Sequence, residues 1–149
     1  MNEKYTLNTN ACQIDFYFSQ TIDNQWFDLI IKFSNILNSK KYDLESALMS
    51  ISKSDLSELV KYFRTHINNL KSNPNFSSYV FTPTEVGFRI QALAGDIFDD
   101  EGDFTLRVMA NIGQNNIDST RAYMGIETPV DLESILEFIG TLEKNLLIN

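Results

Sequence analysis

CQIDFYFSQTIDNQWFDLIIKF, residues 12 to 33, contains two stretches in which apolar and polar residues alternate. Alternation places successive side chains on opposite faces of an extended chain, which is typical of a half-buried β-strand. The positions predicted to face the core are Cys12, Ile14, Phe16, Phe18, Phe27, Leu29, Ile31 and Phe33. The positions predicted to face outward are Gln13, Asp15, Tyr17, Trp26, Asp28 and Lys32. Because residues 19–25 are polar and turn-like, the two stretches are predicted to form a β-hairpin.

A different periodicity follows residue 54 and indicates an amphipathic helix. Its apolar stripe consists of Leu56, Leu59, Val60, Phe63, Ile67 and Leu70. Ser54 is the predicted N-cap, since a serine hydroxyl satisfies free backbone N–H groups, and Asp55 and Glu58 suit the positive end of the helix dipole. The helix is predicted to end at Asn73, because the residue before a proline disfavours helical geometry.

Further alternating segments lie around residues 79–81, 86–93, 104–112 and 120–126. In the third of these, the residues predicted to share one face are Phe104, Leu106, Val108, Ala110 and Ile112. Segment 41–51 is a weaker strand prediction, because its composition also suits a helix.

A final helix is predicted to begin at TPVDLE, with Thr128 as N-cap and Pro129 at the first helical position. Asp131 and Glu133 would then occupy its first turn, where acidic side chains are favourable. Its predicted buried stripe consists of Leu132, Ile135, Leu136, Ile139, Leu142 and Leu146.

These elements predict an α+β domain with a mostly antiparallel sheet of about six or seven strands and two amphipathic helices packed on one face. Strands joined by short turns favour antiparallel pairing, since parallel pairing needs long crossovers. Residues 1–149 are expected to form a single domain, with residues 1–10 as a flexible or loosely attached N-terminus.

Charge is distributed unevenly along the chain. Residues 1–95 carry nine acids and nine Lys/Arg, so the whole net charge of −8 resides in residues 96–149. Such a field repels nucleic-acid phosphates and anionic lipid but accelerates encounter with a basic protein. An acidic surface that only aids solubility is the alternative interpretation. With one cysteine and no apolar run near the ~18 residues of a membrane span, a cytoplasmic location is expected.

Residues with recognisable catalytic potential are few. His66 and Cys12 are the only histidine and cysteine, which excludes a zinc site of three or four nitrogen or sulfur ligands. His66 is predicted to lie on the helix surface, whereas Cys12 is predicted to lie in the core. Side chains in such different environments are not expected to form a nucleophile pair. No phosphate-binding or nucleophile-elbow motif occurs. We therefore expect no enzymatic activity and no cofactor.

GDIFDDEGDF, residues 95 to 104, concentrates acidic residues around two glycines. Aligning Gly102 with the glycine of an EF-hand loop puts Ile97 at the first ligand position, so the stretch is not an EF-hand. It is predicted to be a hairpin turn in which Gly102 supplies a positive φ, and a lesser carboxylate cation site remains an alternative.

Two candidate surfaces for a protein partner follow from the predicted strands. The first is an acidic loop formed by Asp96, Asp99, Asp100, Glu101 and Asp103. The second is an open sheet face formed by Trp26, Arg89, Arg107, Arg121 and Tyr123. Arginine and aromatic residues are enriched at protein interfaces, although arginine is also ordinary on a solvated sheet, where it pairs with acids.

Three segments together resemble the WapI family of bacterial immunity proteins. QWFDLIIKF (25 to 33) is similar to a Trp-led second strand of that family, and DLSELVKYFRTHINNL (55 to 70) followed by FTPTEVGFRIQA (81 to 92) is similar to its central helix and next strand. FTLRVMANIG (104 to 113), leading to VDLESILEFIGTLEKNL (130 to 146), is similar to its strand pair and terminal helix.

The resemblance implies a non-enzymatic cytoplasmic protein that neutralises a cognate toxin, which the acidic charge suggests is basic. The expected partner is thus a protein, with neither nucleic acid nor membrane involved, and the chain is expected to be a monomer or a weak homo-oligomer. An adaptor or oligomerisation module acting through the open sheet face is the second hypothesis. A carboxylate-based enzyme or cation binder at Asp96 to Asp103 is the third.

Overall fold

The computed structural model describes residues 2–113 and 121–147 and confirms an antiparallel α+β fold. Its described strands number eight, slightly more than the six or seven predicted, and they form two sheets. The first five strands along the chain form one sheet, and the last three form the other. The start of the predicted strand 120–126 lies outside the described residues.

The strands are β1 Asn2–Asn8, β2 Gln13–Gln20, β3 Trp26–Ser34, β4 Leu44–Glu45, β5 Met49–Ser52, β6 Phe88–Phe98, β7 Glu101–Asn111 and β8 Tyr123–Asp131. In the five-stranded sheet the order is β1-β2-β3, and both β4 and β5 pair with the far edge of β3. In the three-stranded sheet the order is β6-β7-β8. The helices are α1 Lys53–Ser72 and α2 Leu132–Leu142, and a π-helical turn, Glu143–Leu147, continues α2. Two 3₁₀ turns, Ile36–Asn38 and Lys40–Tyr42, precede β4. Segment 41–51 is therefore neither one strand nor a helix, but contains β4 and most of β5.

The β2–β3 hairpin forms as predicted, and all eight residues assigned to its inner face are buried. The expected loose N-terminus is wrong, because β1 adds an edge strand to β2. Tyr5 lies opposite Phe16 and Leu7 opposite Ile14, and both N-terminal side chains are buried. Burying the side chains of Tyr5 and Leu7 against β2 stabilises the N-terminal segment as an ordered strand.

Helix α1 buries the predicted stripe and ends at Ser72, before Asn73. Its N-cap, however, is Ser52 instead of Ser54. The Ser52 hydroxyl accepts a hydrogen bond from the Asp55 backbone N–H at 3.0 Å, and Ser52 has the extended geometry that a cap requires. Ser54 lies exposed within the first turn.

Helix α2 begins three residues later than predicted. Thr128 and Pro129 belong to β8, where they lie opposite Leu106 and Thr105 of β7, so the pairing with β7 holds them extended. Pro129 is tolerated because β8 is an edge strand. The N-cap position is Asp131, without a side-chain cap hydrogen bond, and Leu136 is 41% exposed, so it does not belong to the buried stripe.

A shared core joins the two sheets through the helices. Each helix contacts both sheets: α1 packs on β5 and β6, and α2 packs on β1, β7 and β8. Phe16 of β2 meets Phe138 of α2 with ring centroids 5.0 Å apart. No helix within the described ranges has the length and apolar character needed to cross a membrane.

Residues 78–81 run beside β6, and the Tyr62 hydroxyl bridges the gap between them. Phe81 and Ile90 exchange two backbone hydrogen bonds, and Ser78 N–H donates to Ala92. The Tyr62 hydroxyl donates to the carbonyl of Tyr79 at 2.7 Å and accepts from Ala92 N–H at 2.9 Å. The Tyr62 hydroxyl thus takes the place of a direct backbone hydrogen bond between residues 78–81 and β6.

We expect Tyr62→Phe to lower the free energy of unfolding by about 1–3 kcal/mol, since it leaves the buried Ala92 N–H unpaired. Urea unfolding followed by circular dichroism measures the change. The matched control is Tyr17→Phe, because the Tyr17 hydroxyl makes no hydrogen bond within the described part of the chain. Equal stability of the two variants would contradict the assigned bridge.

Candidate protein-interaction surface

The three-stranded sheet has one face turned away from the helices, which we call the outer face. Buried and exposed residues alternate along β7, where Phe104, Leu106, Val108 and Ala110 are buried. The cross-strand register then defines the residues of the opposite side. The outer face comprises Arg89, Gln91, Asp96, Phe98, Glu101, Asp103, Thr105, Arg107, Met109, Asn111, Tyr123, Gly125, Glu127, Pro129 and Asp131.

Three aspartates form a line across one end of the outer face. Asp96 lies directly opposite Asp103, and Asp103 lies directly opposite Asp131, so each strand contributes one carboxylate. All three are exposed. Directly opposed side chains in antiparallel strands are about 5 Å apart, and like charges there are destabilising. The acidic row therefore places three like charges at adjacent positions on the outer face.

The stretch 95–104 is the hairpin turn that the sequence predicts. Phe98 pairs with Glu101, which leaves Asp99 and Asp100 as a two-residue loop with φ of 50° and 62°. Positive φ at both central positions is the geometry that matches the twist of antiparallel strands, and aspartate tolerates it. Gly102 has φ of 132°, and a Cβ there would lie 1.9 Å from the Asp96 carbonyl oxygen. The turn therefore requires glycine at 102.

The predicted acidic loop divides into two groups in space. Asp96 and Asp103 belong to the acidic row, whereas Asp99, Asp100 and Glu101 are exposed at the tip of the hairpin. At the tip, Lys71 approaches the Asp100 carboxylate at 3.5 Å, a solvent-exposed pair of small energetic value. Within residues 2–113 and 121–147, no group of three or more His, Cys, Asp or Glu is placed to hold a metal ion.

Arg89 and Tyr123 stack at the other end of the outer face. The Arg89 guanidinium lies 4.3 Å from the centroid of the Tyr123 ring. The Tyr123 hydroxyl donates to the Val86 carbonyl, which fixes the ring beneath the arginine. Arg89 is exposed and forms no salt bridge with any described residue. Its charge is therefore held in place and remains available to a partner.

Arg107, by contrast, is neutralised within the chain. Its Nε donates to Glu127 at 2.8 Å and its Nη1 donates to Gln91 at 3.0 Å. These three residues are cross-strand neighbours in β6, β7 and β8. The ion pair holds the middle of the outer face in one side-chain arrangement.

A shallow groove lies beside Arg89, between the outer face and residues 80–82. Its volume is about 380 Å³, and its lining residues are Val80, Thr82, Arg89, Ile90, Gln91, Arg107, Met109 and Tyr123. The wall includes Val80, which is 46% exposed. A groove with apolar walls and one unpaired guanidinium suits an apolar side chain that carries, or lies next to, a carboxylate.

Two members of the predicted open sheet face lie elsewhere. Trp26 is in β3, opposite Ser52 of β5, and so belongs to the five-stranded sheet. Arg121 is exposed two residues before β8 and does not line the groove. Alternation predicts which side of a strand a residue occupies, but β3 has no pairing with β6, β7 or β8. Arg89, Arg107 and Tyr123 are the members that come together.

Phe98 is the interface candidate that sequence reasoning missed. It is 76% exposed, whereas its neighbour Ile97 is buried. The pairing register shifts between Ala92 and Gly95, and this bulge reverses the alternation that β6 shows before it. Gly95 was the available signal, because an isolated glycine in a strand pattern often marks a bulge.

His66 is completely buried, so its predicted place on the helix surface is wrong. Its Nδ1 lies 2.7 Å from the Ser78 hydroxyl and its Nε2 lies 2.8 Å from the Leu93 carbonyl oxygen. Because a carbonyl only accepts, Nε2 carries the proton and Nδ1 accepts from Ser78. Burial removes water from the His66 ring, and this is the main cause that lowers its pKa. The hydrogen bond to the Leu93 carbonyl acts in the opposite direction and raises the pKa.

Cys12 is buried as predicted, and burial raises the pKa of its thiol. Its side-chain neighbour is the Thr9 hydroxyl, whereas His66 contacts Ser78 and Leu93. The histidine and the cysteine therefore form no nucleophile pair.

No family model matches this chain, and no curated protein matches it. Among solved structures, the chain is similar to a structure of the plant transcriptional regulator PBF-2 at 12% sequence identity, with a TM-score of 0.38. The similarity covers 99% of this chain and 83% of that one.

Proposed function

We propose that this protein is a non-enzymatic, cytoplasmic protein-binding domain of the immunity type, which neutralises a basic bacterial toxin by covering its cationic surface. The observation that carries the proposal is the acidic row of Asp96, Asp103 and Asp131. The WapI resemblance of the sequence supports the immunity role.

The acidic row has the properties of a recognition site for a cationic surface. Its three backbone positions are fixed by paired strands, so little backbone freedom is lost on binding. Their mutual repulsion is relieved when a basic partner arrives, and the net charge of −8 increases the rate of encounter. The exposed Phe98 beside the row offers the aromatic contact area that interface centres favour.

A toxin that acts on nucleic acid fits this surface best. Such an enzyme binds its substrate through a cationic groove, and a rigid line of carboxylates can occupy that groove in place of phosphates. Occlusion needs no chemistry from the immunity protein itself.

Affinity capture with charge-neutralised baits tests the proposal. The row variant, D96N/D103N/D131N, removes three charges without changing side-chain shape. We expect the wild type to retain a basic polypeptide from host lysate in near-equal stoichiometry at low salt. The row variant should retain at least about tenfold less, because it removes the charges that pair with the partner. Co-expression of wild type, but not of the row variant, should then restore growth of cells that make the retained polypeptide.

The control variant, E58Q/E85Q/E137Q, removes three charges from exposed positions outside the outer face. We expect it to retain the partner like the wild type. The row variant relieves repulsion but loses the Asp131 charge at the N-terminus of α2, so we expect its free energy of unfolding to lie within about 1 kcal/mol of the wild type. Urea unfolding of the row variant then excludes unfolding as the cause of lost binding. Equal retention by all three baits, or no basic polypeptide on any of them, contradicts the proposal.

A further inference from the structure

We propose that two copies of this chain associate through the outer face, with the hairpin tip of each copy seated in the groove beside Arg89 of the other. This self-association goes beyond the proposed function and does not depend on it. It rests on complementary features that lie at opposite ends of the same two strands.

The tip offers an apolar knob with a carboxylate beside it. Phe98 is 76% exposed and lies directly opposite Glu101, which is also exposed. Both side chains project from the outer face about 5 Å apart. Phe98 flanks the two-residue loop and presents most of its ring to solvent, so it is free to pack into an apolar groove of a second copy.

The groove offers the complementary hole. Met109 and Val80 provide apolar contact for a ring, and Arg89 provides an unpaired guanidinium for a carboxylate. Because Arg89 is already stacked on Tyr123, its positioning costs little on binding. A volume of about 380 Å³ is sufficient for one aromatic side chain and its neighbour.

The positions of tip and groove allow both contacts to form at once. Phe98 follows Arg89 by nine residues on β6, which separates them by about 30 Å along the strand. Both project from the outer face. A two-fold axis that lies between the two copies, parallel to the outer face and perpendicular to the strands at the level of Arg107, therefore places each tip over the partner's groove. The contact is isologous, so it closes at a dimer and does not propagate into a filament.

Net charge makes the association weak and gives it a distinctive salt dependence. Each copy carries −8, so two copies repel at long range. Raising the ionic strength from about 10 mM to about 150 mM shortens the screening length from roughly 30 Å to roughly 8 Å, which weakens that repulsion more than the close contact of Arg89 with Glu101. We expect dimerisation to strengthen over this range, whereas binding of a basic partner weakens.

Sedimentation equilibrium on two charge-reversal variants tests the pairing. R89E places like charges in contact within its own homodimer, and so does E101R. We expect the wild type to dimerise within roughly 10 µM to 1 mM, and each variant alone to have a dissociation constant at least about tenfold higher. An equimolar mixture of the variants should form a heterodimer with near wild-type affinity, because both of its contacts again join opposite charges.

Three outcomes would overturn the inference: a wild type that stays monomeric throughout this range, variants that dimerise as well as the wild type, or a mixture that remains monomeric. Circular dichroism of each variant verifies folding, and F98S provides an independent readout, since it should weaken the dimer without changing charge. The row variant keeps Arg89, Phe98 and Glu101, so loss of toxin binding and loss of dimerisation can be distinguished.

Discussion

Phe16→Ala is expected to lower the free energy of unfolding by about 3–5 kcal/mol, the largest effect of any single substitution considered for this protein. The Phe16 ring is 1% exposed and meets Phe138 of α2 at 5.0 Å. It lies in the middle of the five-stranded sheet, between Tyr5 and Ile31. Deleting it opens a cavity where that sheet contacts the C-terminal helix, and rigid strands on both sides limit its collapse.

Phe98→Ala is the matched control, because the same side chain is removed from a position that is 76% exposed. We expect this substitution to change stability by less than about 0.5 kcal/mol. Urea unfolding of both variants, followed by circular dichroism, measures the difference. A loss at Phe16 no larger than that at Phe98 would contradict the packing of α2 on the five-stranded sheet.

The second large effect concerns pH, because His66 is buried in its neutral form. Its folded-state pKa is lowered from the ordinary value of 6.5 by burial. The unfolded chain therefore takes up a proton at a higher pH than the folded protein does. The stabilisation is fully present above pH 6.5 and is lost as the pH falls from 6.5 towards the lower folded pKa.

We expect unfolding free energy to decrease by about 1.4 kcal/mol for each pH unit within that window. His66 is the only histidine, so a single substitution removes this dependence. His66→Gln should be less stable than the wild type at about pH 8, because it fits the Ser78 and Leu93 partners less well, but nearly independent of pH between about 5.5 and 8. A wild type whose stability is equally flat over that range would refute the buried neutral histidine.

The strands with strict alternation were predictable from sequence because their burial is decided locally. In β3, and in β7 from Phe104 onward, buried and exposed residues alternate without a break, and every residue predicted inward on the β2–β3 hairpin is buried. In β2, Asp15 is an exception: it is predicted to face outward but is buried, where its carboxylate accepts hydrogen bonds from Thr6 and Gln13.

Helix α1 was predictable for the same reason with a period of 3.6. His66 lies three residues after Phe63 and four before Leu70, on that same stripe. Its polarity argued for the surface, but two hydrogen-bond partners distant in sequence made its burial possible.

Features that depend on distant partners were not predictable. Thr128 and Pro129 have a strong helix-start signature, yet pairing with β7 keeps them extended. The division into two sheets separates Trp26 from Arg89, Arg107 and Tyr123, although all four alternate outward on their own strands. The acidic row needs Asp131, which lies 28 residues beyond Asp103 and joins it only through the β7–β8 register.

The two proposals place competing molecules on one surface. A dimer that covers Phe98 and Glu101 also approaches the acidic row, so a basic partner must displace the second copy before it can bind. Since dimerisation is expected to strengthen with salt and partner binding to weaken, the balance between them should depend on ionic strength.

The proposed function requires the outer face of β6–β8 to bind a basic protein. This binding can be mapped by the amide chemical shifts of the isotopically labelled protein, measured while the captured basic polypeptide is added. We expect perturbations concentrated at Asp96, Phe98, Asp103 and Asp131. Perturbations concentrated around Trp26, on the outer side of the five-stranded sheet, with the acidic row unchanged, would contradict it.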